Sequence, residues 1–441
     1  MKTKAVRSMF AAAAAVLLAA TPLVGQGVTI DVTKVQQRYP WNGLVDIDYT
    51  ITLNQGEEEL NSAEYGVRIT VVNCEETPAV TNVAHVFRQG TLPVSNGVHR
   101  VTWDANAEEK TFTSQNVKVF AEIVRYIEKY MVINVSAGSG STAVYPVTYL
   151  HGVPEGGFTN ATYRGDKIAL RLIPPGSFVM GSPTTEPGRT AASEVQHAVA
   201  ITKPFYIGVF QITQKQYQKV MNDNPSQYKG DDGRPVEKAK YNDNIRGTAN
   251  KTTHQYDWPW TNEVASTSFM GKLRAKCKEW NADTQTYDKD IEGLLDLPTE
   301  AQWEYACRAG TTTPFNNGVA CANISALGTQ LGTLGRYKSN GGSASQHAVV
   351  GTAGAPNAWG LYDMHGNVCE WCLDWYKEDV QNIENPSVDP VGADSGSTRV
   401  IRGGSYNSDP QNCRSASREG ADPSAGASSA YRGFRLVMTL P

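Results

Sequence analysis

The sequence predicts two folded parts of different character: a small all-β sandwich near the N-terminus, then a larger part of short helices, little regular strand and much ordered loop. Three observations predict this. Between residue 28 and about residue 130, apolar and polar residues alternate in short stretches, at 45–53, 65–72, 98–103 and 117–123, separated by turn formers such as Asn54-Gln55-Gly56 and Asn96-Gly97. Alternation with period two marks half-buried strands, and several at regular spacing suggest an immunoglobulin-like sandwich over 28–130. Small polar runs at 137–142 and 154–157 then mark a linker, placed at 131–163. Beyond it, most of the Trp and six of the seven Cys fall among Gly-, Asn- and Ser-rich loops, and helical signals are few.

The first element precedes the folded parts. Lys2, Lys4 and Arg7 stand before an apolar run at 9–20 and a Pro- and Gly-containing stretch at 21–27, the layout of a secretory signal peptide over 1–27. The run is short for a bilayer span, and no Cys lies beside it to carry a lipid anchor. Export to a periplasmic or extracellular setting is expected, with no membrane span in the mature chain. Loss of those three basic residues moves the net charge from −4 to −7. With no basic block either, nucleic acid is not an expected partner. All seven Cys lie in the exported part, where disulfides are permitted, and an odd count leaves at least one thiol unpaired.

The sandwich holds no cluster of His, Cys or paired carboxylates, so a structural or adhesive role is expected of it. In the larger part, FMGKLRAKCKEWN at 269–281 puts Phe269, Leu273, Cys277 and Trp280 on one helical face. The segments 213–221 and 299–308 each open with Thr and carry Gln three residues on (Thr213 with Gln216, Thr299 with Gln302), the capping-box pattern. In the second of these, Trp303 and Ala306 share the packed side, and Glu304 with Arg308 reads as a solvent-facing pair.

Chemistry-bearing residues gather toward the C-terminus. In DMHGNVCE at 363–370, Asp363 and Glu370 flank Gly366 and Asn367, a supply of hard oxygen donors of the kind calcium takes. His365 is alone there, and the HxxxH or HxH spacings of zinc or non-haem iron are absent. Cys369 and Cys372 have CxxC spacing, but they overlap this loop instead of opening a helix after a strand, which argues against redox chemistry. Gly403-Gly404 before Ser405 either floors a cleft or makes a tight bulge. Ser405 has no His near it in sequence.

Six ordered strings then carry a resemblance: IPPGSFVMGS at 173–182, PFYIGVFQITQKQY at 204–217, LPTEAQWEYACRAGT at 297–311, NAWGLYDMHGNVCEWCLDWY at 357–376, RVIRGGSY at 399–406 and GFRLV at 433–437. Over about 164–440 the chain resembles the formylglycine-generating enzyme, or sulfatase-modifying factor, superfamily. The resemblance implies an α+β, C-type-lectin-like fold with little regular structure for the 164–441 domain. It also implies a structural calcium site made by Asp363, the carbonyls of Gly366 and Val368, and Glu370, and a second using Asn323 and the carbonyl of Ile324.

The family's reaction oxidises a substrate Cys to an aldehyde with dioxygen, on copper(I) held by two thiolates spaced Cys-x4-Cys after the Gly-Gly-Ser turn. Soft thiolates suit copper(I). The matching stretch here, YNSDPQNCRSASR at 406–418, holds only Cys413, and counting from the turn puts Ser408 at the first thiolate. Counting back from Arg418 instead sets Cys413 at a structural Cys of the family, and both registers leave the pair incomplete. Cys413 is open to a disulfide with Cys307, as the resemblance implies, to one with Cys372, or to life as a lone reactive thiol. The candidate catalytic residues are Cys413, Ser405 and Cys369. The reading that follows is an exported, calcium-stabilised, non-catalytic module binding a protein, peptide or glycan over the turn at 403–406, walled by 407–414 and 421–432. The alternative is a formylglycine-generating oxidase, or a related metal-dependent oxidoreductase, acting on sulfatase cysteine.

Overall fold

The computed structural model describes residues 28–38, 44–53, 59–60, 65–73, 86–87, 94–104, 117–125, 129–247, 264–281, 284–341, 346–379, 387–424 and 430–440. Residues 1–27, read from the sequence as a signal peptide, Cys74 and the turn at 54–56 lie outside them. The chain divides into two units, 1–127 and 128–441.

In the first unit the expected alternation becomes strands. Thr29–Gln37, Leu44–Thr52, Gly97–Asp104 and Val86–Phe87 form an antiparallel sheet, and Tyr65–Asn73 pairs with Val117–Arg125 in another. Along Leu44–Thr52 every second residue is buried. Val45, Ile47, Tyr49 and Ile51 of the one sheet share a core with Val67 and Ile69 of the other, which makes the unit a sandwich. Asn96 supports the predicted turn before Gly97, its Oδ1 accepting from the Leu53 amide at 2.6 Å.

The second unit begins earlier than the linker reading allows. Tyr130–Asn134, which starts one residue before the stretch read as linker and runs into it, and Tyr145–Leu150, inside that stretch, are neighbours in an eight-stranded sheet. Its order continues through Lys167–Ile173, Phe205–Gly208, Val437–Thr439 and Leu294–Asp296 on one side and through Cys277–Asn281 and Thr286–Asp290 on the other. The small polar run at 137–142 is the connection between two strands whose apolar residues, Met131, Ile133, Tyr145 and Val147, enter the main core. Turn composition marks a turn equally well inside a domain and between domains, and flanking strands decide which.

Among the described residues, five short α-helices pack on this frame: α1, Ala161–Gly165; α2, Gln214–Met221; α3, Phe269–Lys276; α4, Glu300–Arg308; and α5, Ile324–Leu331. Both capping boxes form. Thr213 and Thr299 each accept from the amide three residues on and receive the Gln side chain in return, stabilising each helix start by about 1 kcal/mol.

The helix expected over 269–281 ends at Lys276. Cys277–Asn281 turns extended and pairs with Tyr145 and Pro146 on one edge and Thr286–Asp290 on the other. Satisfying two rows of backbone groups outweighs one more helical turn, and it leaves Trp280 exposed while Cys277 stays buried. In α4, Glu304 and Arg308 are not solvent-facing: they are 1% and 3% exposed. Glu304 takes the Gly181 amide at 2.9 Å and pairs with Arg308 and Arg402, so its charge is compensated within the core. A four-stranded sheet, Arg418–Ala421, Arg399–Arg402, Cys369–Trp375 and Arg432–Gly433, carries the chemistry-bearing segments. No helix among the described residues is long and apolar enough to cross a membrane.

Candidate functional site

Strand Arg399–Arg402 delivers the Gly-Gly-Ser turn. Gly403 and Gly404 both have positive φ, 87° and 66°, a region that favours glycine. Both are also packed close. A Cβ on Gly403 would stand 3.0 Å from the Trp303 ring, and one on Gly404 would stand 2.5 Å from Cys413 Sγ. The turn is stitched to the 363–370 loop by two backbone bonds, Gly366 N to Gly403 O at 2.7 Å and Tyr406 N to Asn367 O at 2.8 Å.

Ser405 is buried, and its Oγ lies 3.1 Å from Ser408 Oγ and accepts from the Asn407 amide at 3.2 Å. Ser408 Oγ accepts from the Ser405 amide at 3.0 Å, so the residue counted at the first thiolate position closes the turn. The part of this region that solvent reaches is the following loop, where Asn407 and Asn412 are exposed and 408–411 half-buried.

The cysteines stay apart. Among the described residues, Cys277, Cys307, Cys321, Cys369, Cys372 and Cys413 are all free, so neither expected disulfide of Cys413 forms. The imidazole of His365 stands between Cys307 and Cys413. Its Nδ1 donates to the Cys413 carbonyl at 2.8 Å, while Nε2 accepts from the Asn316 amide at 3.1 Å and lies 3.8 Å from Cys307 Sγ. Burial holds His365 down at about 4, so it is neutral at pH 7 and fully hydrogen-bonded. Burial pushes both the Cys307 and Cys413 thiols up to about 12, far from the range of a reactive thiolate.

Cys369 and Cys372 lie on the strand Cys369–Trp375 and enter different core clusters, Cys369 with Trp371 and Leu373, Cys372 with Trp303 and Cys307. A strand sends residues three apart to opposite faces. The CxxC pair is therefore no redox couple, and Cys369, whose Sγ is 3.2 Å from the Tyr431 carbonyl, is in a different cluster from Cys413.

Four of the residues expected as metal donors do converge. The carbonyls of Asp363, Gly366 and Val368 and the Glu370 carboxylate surround one point, which the side-chain nitrogen of Gln211 fills. Asn323 and Ile324 begin α5: Asn323 Oδ1 caps it, accepting from the Ala326 amide at 2.9 Å. Among the described residues no three His, Cys, Asp or Glu side chains gather as a metal-donor group.

Two arrangements have no signal in sequence spacing. Behind Tyr406, the rings of Tyr228 and His347 meet it edge-on at 5.8 Å, and His347 Nε2 lies 3.7 Å from the buried Glu237 carboxylate. A cavity of about 350 Å³, lined in part by Met180, His197, Glu300, Asp374, Trp375 and Arg418, opens elsewhere in the unit. There Arg418 grips both Glu300 oxygens, at 2.7 and 2.6 Å, and the Glu300 amide donates to Asp374 at 2.7 Å.

Burial, with the Glu300 charge adding to it, pushes Asp374 up to about 7. Because this folded value exceeds the unfolded 3.8, the group favours folding below the unfolded value, and that contribution is lost as pH rises through about 7. Asp374→Asn should therefore melt higher than wild type. The gap should be near zero at about pH 4, widen through neutrality and level off above the folded value; a pH series of melting curves with a constant gap would refute this.

The 160–440 segment matches the sulfatase-modifying factor enzyme 1-like domain. The chain belongs to that family. Within the family it is 36% identical over 149 residues to a formylglycine-generating enzyme of Thermomonospora curvata, a match covering 32% of this chain and 48% of that protein. It is 32% identical over 197 residues to the chaperone protein LppX of Paenibacillus barcinonensis, covering 43% and 68%. The chain thus spans about half the length of the curated enzyme it matches. Treponema denticola variable protein 1 is a solved neighbour, with a TM-score of 0.47 at 24% identity, covering 62% of this chain and 96% of that one.

Proposed function

We propose that this chain is an exported member of the sulfatase-modifying factor family that binds a protein, peptide or glycan without oxidising it. The single observation that carries this reading is the state of the Gly-Gly-Ser turn. Ser408 closes the turn where a thiolate is needed, and Cys413 is a buried thiol packed against Gly404 with its ionisation pushed up to about 12. Copper(I) needs two accessible soft donors in one place, and a hydroxyl committed to a backbone amide is neither soft nor free. The loop at 407–412 then serves as the contact surface, with the turn as its support.

The test is direct. Purified chain supplied with copper(I), oxygen and a sulfatase-motif peptide should yield no aldehyde by mass spectrometry, under conditions where a formylglycine-generating enzyme converts the same peptide. Turnover would overturn the proposal.

A further inference from the structure

Gln211 follows strand Phe205–Gly208 and stands two residues before Thr213 of the α2 capping box, and its side chain is fully buried. Its nitrogen lies 3.2 Å from Asp363 O, 3.4 Å from Gly366 O, 2.8 Å from Val368 O and 2.9 Å from Glu370 Oε1. The amide's orientation follows from its partners. One end meets only acceptors, while the oxygen end accepts from Asn367 Nδ2 at 3.0 Å, and Asn367 in turn accepts from the Ala348 amide.

These are the donors that a calcium ion would use, and as arranged they do not fit one. Calcium collects six to eight oxygens at about 2.3–2.6 Å; here four stand at hydrogen-bond distance around an occupied centre. Asp363 meets the Gln211 nitrogen through its carbonyl, while its carboxylate Oδ2 accepts from the Gly351 amide at 2.6 Å. Glu370 is already matched by Arg435, through both carboxylate oxygens, and by Trp303 Nε1 at 2.8 Å.

We propose that the Gln211 carboxamide takes the place of a bound cation, so that the 363–370 loop keeps its shape without calcium. An NH2 group supplies two protons and a partial positive charge to oxygens that would otherwise repel one another. It does so from a side chain that the fold brings in with strand Phe205–Gly208, so the loop is fixed by folding alone. The inference holds whether or not the chain binds a macromolecule at 407–412.

Gln211→Glu tests it, because that change replaces a donor in the cage with another oxygen and leaves the shape nearly intact. The full chain and the variant would be compared by thermal melting in EDTA and in calcium chloride, and by equilibrium dialysis with labelled calcium. The expected result is that the variant binds one more calcium per chain than wild type. It should also melt lower than wild type in EDTA and regain the loss in calcium. Equal stoichiometry with equal calcium-dependent shifts would overturn the proposal.

A second measurement covers a variant that fails to fold. Terbium, a calcium substitute, placed in the cage of the wild-type chain would sit beside the Trp303 indole that contacts Glu370. No terbium emission excited through tryptophan is expected from wild type, and emission that calcium abolishes and Trp303→Phe removes would sink the idea.

Discussion

Arg435→Ala should destabilise the second unit by about 3–5 kcal/mol, the cost of leaving a buried carboxylate without its partner. Arg435 is fully buried and uses every N–H it has. Nε and Nη2 hold the two oxygens of Glu370 at 3.0 and 2.8 Å, Nη1 donates to the Gly208 and Val209 carbonyls, and Nη2 also reaches the Tyr362 carbonyl. The substitution therefore strips one carboxylate and three main-chain acceptors at once, in a region too enclosed for water to replace them freely. Urea unfolding followed by tryptophan fluorescence should show a transition shifted to much lower denaturant. Pairing Arg435→Met with Glu370→Gln should cost less than Arg435→Ala alone, since no charge is then stranded. A single-variant loss below about 1 kcal/mol, the range of exposed pairs, would show that the carboxylate finds other compensation.

Arg414→Ala should have an effect of similar size, with a distinct pH signature. The guanidinium, buried among loops, contacts Glu186 at 2.5 Å and both oxygens of Glu194 at 2.8 Å, and Nη2 also meets the Gly188 carbonyl. Burial raises Glu186 even with Arg414 beside it, whereas Glu194 is held below 4.5 against its burial by Arg414 and Ser182. Removing Arg414 takes away the attraction that favours both charges, so both carboxyl groups should titrate higher in the folded protein.

A folded value raised above the unfolded one disfavours folding as pH rises. The melting gap between wild type and Arg414→Ala should therefore be widest above neutrality and narrow as pH falls toward 4.5, where the stranded carboxylates take up protons. A gap independent of pH would mean that lost packing, and not lost charge, dominates. Because Arg414 Nε also holds the Gln411 carbonyl at 2.9 Å, the same change should loosen the 407–412 loop and weaken whatever binds there.

Much of the framework is legible in the residues themselves. Strand alternation in the first unit, the two Thr–Gln capping boxes and the Gly-Gly pair all act through neighbours close in sequence, and each forms as its local pattern demands. What stays hidden depends on partners far along the chain. Cys277–Asn281 has the spacing of a helix face, yet the edge of the strand Tyr145–Leu150 draws it into a sheet. Glu304 and Arg308 look like a surface pair at i and i+4, and only the arrival of Arg402 and the Gly181 amide makes their burial affordable. The cysteines carry a family expectation of pairing, but Cys307 and Cys413 pack into different core clusters, and the His365 ring that contacts both residues is placed by no local rule. Gln211 lies more than 150 residues from the loop it fills, and glutamine has no motif of its own.

The placement of the strand Val437–Thr439 bears on how the second unit can be made. It is not an edge: it lies between Phe205–Gly208 and Leu294–Asp296 and pairs with both. Until Val437–Thr439 leaves the ribosome, two partner strands more than 80 positions apart present unfilled edges, and the eight-stranded sheet cannot close. The sheet of the second unit therefore cannot be completed until Val437–Thr439 has been made, well after the two strands that it joins. A stop codon placed just before Val437 removes this central strand and should yield chains that aggregate instead of a smaller folded unit.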